Sequence, residues 1–242
     1  MKVDIACTNS SFLSLIEKQD QIVFLDANFF IPPDRSSFNG IKPYRFDRYK
    51  EIWLEPLLAE FNGVSIHESV FDELVSIDIK TFADENANSN PKRLRVFHNS
   101  ELSTNEKALM LTYIDKLAVH SQYDPDKDNA KDRGEVLSLS YMAAKNYLYF
   151  AANDDLPIRL IKDADKLNTG LDDMGVIQMY ELIYFLHKTN KYDSKSLRQL
   201  YKYQYHLTDR EKRQNPEWGN FIQLMDELYG EQISKSLCIS TT

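Results

Sequence analysis

Asp26 interrupts QIVFLDANFFI, residues 21–31, a run otherwise apolar from Ile22 to Leu25 and again from Phe29 to Ile31. A bare carboxylate at the end of a core strand is costly unless something pairs with it, and Asn28 breaks the same run two residues on. Acidic residues recur in comparable places: Glu73 in the segment after GVSI, Asp132 with Glu135 at the start of an apolar helical pattern, and Asp154 with Asp155 after YLYFAA. Carboxylates that converge repel one another, which raises some of their pKa values unless a hard cation sits among them. Mg²⁺ or Mn²⁺ is the natural occupant, because such ions take oxygen ligands, keep several waters, activate water and stabilise a phosphoryl transition state.

Each acid also has a plain structural use. Asp132 and Glu135 have the D-x-x-E spacing of a capping box. Asp154 or Asp155 suits an ordinary N-cap, and Glu73 suits a solvated helix face. Asp26 is the hardest to explain this way, since apolar residues flank it on both sides, and one shared metal site would account for all four positions. A calcium loop competes for Glu135: Asp124, Asp126, Asp128, Asp132 and Glu135 fall at EF-hand positions, although Asn129 stands where the turn glycine belongs and Pro125 and Lys131 fit the loop poorly. The five histidines form no HxH or HExxH cluster, and no Walker loop, GxGxxG or GxSxG occurs.

The elements that must carry these acids follow from periodicity. Residues 10–19 predict a short helix, 21–25 a strand, 45–61 a helix stopped at Asn62-Gly63, 63–66 a strand and 67–79 a helix. TFADENANSNPK, 81–92, reads as a loop, 104–120 as a helix, 121–131 as an acidic loop, 133–146 as a helix and 147–152 as a buried strand. A helix begins after Asp154–Asp155, another spans 176–188, and two amphipathic helices follow near 194–206 and 217–229. Strands separated by helices imply a parallel α/β sheet in three layers, with its ligand crevice at the carboxyl ends of the strands. Asp26, Asp154 and Asp155 all fall just after such strands.

In FLDANFF, ESVFDEL, DRGEVLSLSYMA and FAANDDLPIR, in that order and over roughly residues 20–188, the chain resembles the PIN-domain family of metal-dependent nucleases, which includes many bacterial toxin ribonucleases. The resemblance implies a PIN-like three-layer α/β/α domain over 1–190 with a helical C-terminal extension over 191–242. It implies hydrolysis of a phosphodiester by a metal-activated water, leaving a 5′-phosphate and a 3′-hydroxyl. Asp26, Glu73, Glu135 and Asp154 would then be the catalytic metal ligands for Mg²⁺ or Mn²⁺, directly or through water. Asp132 and Asp155 would be further acids of the site, and Asn28 would orient Asp26 or a bound water. The family's Thr or Ser before the last Asp is replaced here by Ala152 or Asn153.

Composition narrows the partners. At 242 residues and 43% hydrophobic the chain can bury a sizeable core, while a net charge of -8 argues against binding nucleic acid by bulk electrostatics, so any such site must be local. PKRLRVFH (91–98) and KSLRQLYKYQYH (195–206) interleave basic residues with aromatics, a pattern suited to single-stranded RNA or to a solvated helix face with packed tyrosines. Cys7 and Cys238 make neither a CxxC nor a disulfide framework, and no window approaches the ~20 apolar residues of a membrane span. The expectation is a soluble, cytoplasmic nuclease, RNA favoured over DNA, with room for an inhibitor or antitoxin-like protein partner and for oligomers. Two other classes stay open: a non-catalytic PIN-like module that binds nucleic acid or protein, and a phosphatase-like hydrolase using Asp26 as nucleophile, for which the DxN pattern lacks the second Asp.

Overall fold

Val23–Leu25 (β1) is the central strand of a five-stranded sheet completed by Val64–His67 (β2), Arg95–Phe97 (β3), Tyr149–Ala151 (β4) and Gly175–Ile177 (β5). This computed structural model describes residues 2–38 and 41–239; Met1, Asn39, Gly40 and 240–242, the end of the expected C-terminal extension, lie outside the described residues. The fold class is α/β with an all-parallel sheet in the order β3-β2-β1-β4-β5. All three residues of β1 are buried, as a strand covered on both faces requires. Val23 pairs with Val64 on one side and Tyr149 on the other, and Leu25 pairs with Ala151. The order reverses at β1: the chain runs outward from β1 to β2 and β3, then returns to build β4 and β5 on the other side. Connections therefore leave β1 and β4 in opposite directions, which opens a crevice beyond their carboxyl ends.

By contact the chain divides into two compact units, one of Ile22–Ile31 and Asn62–Val176, the other of Met1–Gln21, Pro32–Phe61 and Ile177–Thr242. The first unit holds β1 to β4, and Phe24, Val136, Tyr141, Met142, Phe150 and Leu160 belong to its core. In it the helix Glu68–Glu73 packs on the helix Arg133–Lys145, which also packs on Thr104–Ala118. The second unit is helical. Residues 191–242, the expected extension, fall in it together with the N-terminal segment: Phe12 meets Tyr229 edge-on at 5.1 Å, and Asn9 donates to both carboxylate oxygens of Glu181.

Several expected elements are corrected. Residues 81–92 are not all loop, because the helix Ile77–Ala87 runs into them, burying Ile79, Phe82, Ala83 and Asn86 at helical spacing beneath an otherwise polar face. The single helix expected over 67–79 is two, broken at Leu74, whose backbone leaves the helical region. β3 lies in a basic stretch with little apolar signal, and its partly exposed residues suit a sheet edge. β5 was hidden inside the apolar run 176–188, whose helix begins only at Met179, where Gln178 and Glu181 form a capping box. A short helix, Asp209–Gln214, stands between the two expected near the C-terminus, and the last runs Trp218–Ile239. No helix among the described residues is long and apolar enough to cross a membrane.

Candidate metal centre

Asp26 is the first residue past β1, and its N–H donates to the carbonyl of Ala151 at 3.0 Å, so the last bond of the ladder fixes where its side chain starts. The residue is 2% exposed. Its Oδ1 accepts the Ala27 N–H and its Oδ2 accepts Asn28 Nδ2, both at 2.7 Å. Asn28 thus holds the carboxylate, while its own Oδ1 is buried with no hydrogen-bond partner. Asp154 lies three residues past β4 and precedes the helix Asp155–Lys162, but its side chain makes no capping bond. Glu135 projects from the first turn of Arg133–Lys145.

The switch between β1 and β4 is where these acids meet. One ligand oxygen from each of Asp26, Glu135 and Asp154 lies within 4.8 Å of the others, the one such group among the described residues. Burial pushes the Asp26 carboxyl well above the usual carboxylate range, with the charges of Glu135, Asp154 and Glu73 adding to it and the Ala27 N–H opposing. Glu135 is also raised, first by burial, with Asp132 and Asp154 adding to it and its own backbone amide and Lys131 opposing. Such a cluster is poorly disposed to hold its full negative charge alone. Its donors are all oxygen, with no imidazole or thiolate, which fits Mg²⁺ or Mn²⁺ by the chemistry of the ligand set.

Glu73 stands beside this group. Its helix starts at His67, the last residue of β2, whose Nδ1 caps it by accepting the Ser69 N–H at 3.3 Å. At the other end Glu73 Oε1 accepts the Gly134 N–H at 2.8 Å. Burial, then the charge of Glu135, raises the Glu73 pKa to about 7 against the lowering effects of the Gly134 N–H and Arg133. The carboxylate lies so close over Gly134 that a Cβ there would sit 2.5 Å from Oε1 and 2.6 Å from Oε2. Gly134→Ala should therefore push Glu73 aside. Because the atoms that must give are the far end of a flexible side chain, and Ala gains roughly 0.5–1 kcal/mol over Gly inside a helix, melting should change little while Mn²⁺ affinity falls. Unchanged Mn²⁺ affinity by calorimetric titration would detach Glu73 from the centre.

The remaining acids are engaged elsewhere. Asp132, in the left-handed region at φ 56°, makes no side-chain cap bond, so the capping box expected with Glu135 does not form. Its Oδ2 accepts the Gln122 N–H at 2.8 Å and its Oδ1 lies 3.5 Å from Lys131 Nζ. The calcium loop is not built either: Asp124 accepts from the Asp126 N–H and from Lys127, Asp128 accepts from Tyr123 and Arg133, and Glu135 groups with Asp26 and Asp154 instead. Asp155 is exposed. It lines, with Asp132, Glu135 and Asp154, a cleft of about 560 Å³ whose wall also carries Lys131 and Arg159. Arg159 is steadied by donating to the His120 carbonyl at 3.0 Å. Lys131, Arg159, Gly134 and the cap of His67 had no role in the sequence reading; the one available signal was Gly134 beside Glu135, where the lack of a side chain permits the close approach.

Searches of family profiles, curated proteins and solved structures return no match to this chain.

Proposed function

We propose that the sheet-bearing unit is a PIN-like three-layer α/β/α domain acting as a divalent-metal-dependent nuclease that hydrolyses phosphodiester bonds, RNA in preference to DNA. The observation that carries this reading is the convergence of Asp26, Glu135 and Asp154 within 4.8 Å at the switch point of a parallel sheet. The order and context of the acidic motifs, which resemble the PIN family, support the nuclease assignment. Mg²⁺ or Mn²⁺ bound there would supply a water of lowered pKa and neutralise charge building on the phosphoryl oxygens.

The chain's own residues divide the remaining work. Asp26, Glu135 and Asp154 would hold the ion, and Asn28 keeps Asp26 in one orientation through its 2.7 Å bond. Glu73, coupled electrostatically to both Asp26 and Glu135, suits a contact through water. Lys131 and Arg159 bring positive charge to the cleft that Glu135 and Asp154 also line, and would hold a phosphate without reading sequence. Purified protein with Mn²⁺ or Mg²⁺ should cut single-stranded RNA to 5′-phosphate and 3′-hydroxyl ends, stop in EDTA, and resume when the metal is restored in excess. Oligonucleotide binding with no cleavage of any RNA or DNA in either metal would replace this reading with that of a non-catalytic binding module.

A further inference from the structure

Lys42, Arg45 and Arg48 from one segment, and Lys202, His206 and Lys212 from another, surround a second cavity of about 630 Å³ within the helical unit. No carboxylate of the described residues lines it. In a chain with 37 acidic and 29 basic residues, five Lys and Arg side chains around one cavity reverse the overall sign locally. The helix Ser194–Tyr205 buries Leu197, Leu200, Tyr201 and Tyr205, and this leaves Gln199, Lys202 and Tyr203 to line the cavity. Packed tyrosines thus account for Tyr201 and Tyr205 but not for Tyr203. The Tyr203 hydroxyl donates to the Lys42 carbonyl at 3.0 Å, and its ring meets Tyr44 edge-on at 5.1 Å, so the two segments are tied into one wall.

Glu211, beside Lys212 in the chain, is held by Arg35, and the cavity's own cations form only surface pairs: Asp47 with Arg45 at 3.4 Å, Glu51 with Arg48 at 2.7 Å, and Asp209 with Lys212 at 3.6 Å. Such exposed pairs are weak and yield readily to a phosphate. Arg48 is also held by donation to the Ser196 hydroxyl. Lys42 and Lys202 have no carboxylate partner among the described residues. We infer that this cavity is a binding site for single-stranded nucleic acid, its cations gripping two or three successive phosphates while Tyr44 and Tyr203 offer ring surface to a base. An acidic peptide would use the cations and leave the tyrosines without a role. The helical unit carries none of the acidic cluster, so binding here does not require metal or cleavage.

Anisotropy of a fluorescein-labelled oligouridine twelve nucleotides long, read with the full chain in EDTA, tests this. Two or three phosphate contacts should weaken affinity about 10-fold between roughly 50 and 200 mM salt, given a slope near -0.7 per phosphate. Lys202→Glu with Arg45→Glu should weaken binding about 10-fold or more and flatten that slope, and Tyr203→Phe, which keeps the ring, should cost less than Tyr203→Ala. Lys235→Glu, at a residue paired with Glu231 outside the cavity, and Asp26→Asn should bind normally. Binding lost in Asp26→Asn but kept in the Lys202–Arg45 double variant would overturn the assignment. So would displacement by uridine monophosphate, or by polyglutamate, as effective per charge as displacement by unlabelled oligouridine. Cleavage measured separately in Mn²⁺ distinguishes failure of this site from failure of the nuclease reading.

Discussion

Asp26→Asn is expected to cut metal-dependent cleavage by about 10²-fold or more while leaving the fold intact and the metal-free protein harder to melt. The side chain is 2% exposed, so its replacement must satisfy the same neighbours without water. The new carbonyl can keep the Ala27 N–H that Oδ1 accepts now. The new amide faces Asn28, whose group flips to present its Oδ1, a buried acceptor that otherwise has no partner. The flip moves the unpartnered buried position from Asn28 Oδ1 to its Nδ2, so the number of unsatisfied groups is unchanged, while a charge held against Glu135, Asp154 and Glu73 is removed. A lone carboxylate dispensable for the chemistry would show the same stabilisation with full activity. Loss of cleavage together with a raised Tm is therefore the signature of a ligand kept at the expense of stability. Glu135→Gln should reproduce the activity loss, and the double variant should be no worse than either single one, because ligands of one ion act as a unit. Additive losses, or unchanged cleavage in Asp26→Asn, would remove Asp26 from a shared centre.

Legibility in the sequence followed the strength of local signals. β1 is apolar at every position and its terminal Asp26 stands out, so the central strand and the first acid could be read together. β3 lies in a basic stretch and β5 is fused to an apolar helix, so neither stands apart from its surroundings as the apolar β1 does. The helix Ile77–Ala87 was obscured by Asp78, Asp84 and Glu85 on its solvent face and by the buried Asn86. Among the acids, Glu135 was claimed by a cap, a calcium loop and a metal centre, because spacing along a chain cannot say which way a side chain turns. Asp132 at φ 56° and Asp128 in its bonds to Tyr123 and Arg133 leave Glu135 to the cluster with Asp26. The cationic cavity was visible only as alternating Lys and Tyr in one helix; its other half, Lys42 to Arg48, is more than 140 residues away along the chain. That pairing is a property of the tertiary contacts and has no local signature.

Acidification should remove a stabilising contribution from His67, opposed over the same range by Asp26, Glu73 and Glu135, whose raised pKa values make their protonation favour the fold. The residue is fully buried, its ring against Tyr141 at 4.9 Å. Nδ1 lies 3.3 Å from the Ser69 N of the N–H that begins the helix Glu68–Glu73 and 2.7 Å from Ser69 Oγ, while Nε2 faces Asn99 Oδ1 at 3.2 Å. A doubly protonated ring makes Nδ1 a donor, which Ser69 Oγ can accept but the Ser69 N–H cannot, and so would break the cap. Burial accordingly lowers the pKa from 6.5 to about 4; the bond to Asn99 and the charge of Glu68 oppose this, while His98 and Arg133 add to it. Because the folded pKa lies below the unfolded one, the unfolded chain binds the extra proton at this residue between those values, so the His67 contribution falls as pH drops from 6.5 towards 4. The gap corresponds to roughly 3 kcal/mol, or roughly 6–12 °C in Tm for a chain of this size. His67→Asn, which retains a capping oxygen and does not titrate, should begin less stable at neutral pH, having left space beside Tyr141, but should lose the His67 contribution, so that its stability falls less, or rises more, than that of the wild type as the pH drops across this window. Denaturant unfolding of both proteins at intervals from pH 7 to pH 4 measures the difference. Profiles of the two proteins that run parallel from pH 7 to pH 4 would leave the His67 cap with no part in the acid response.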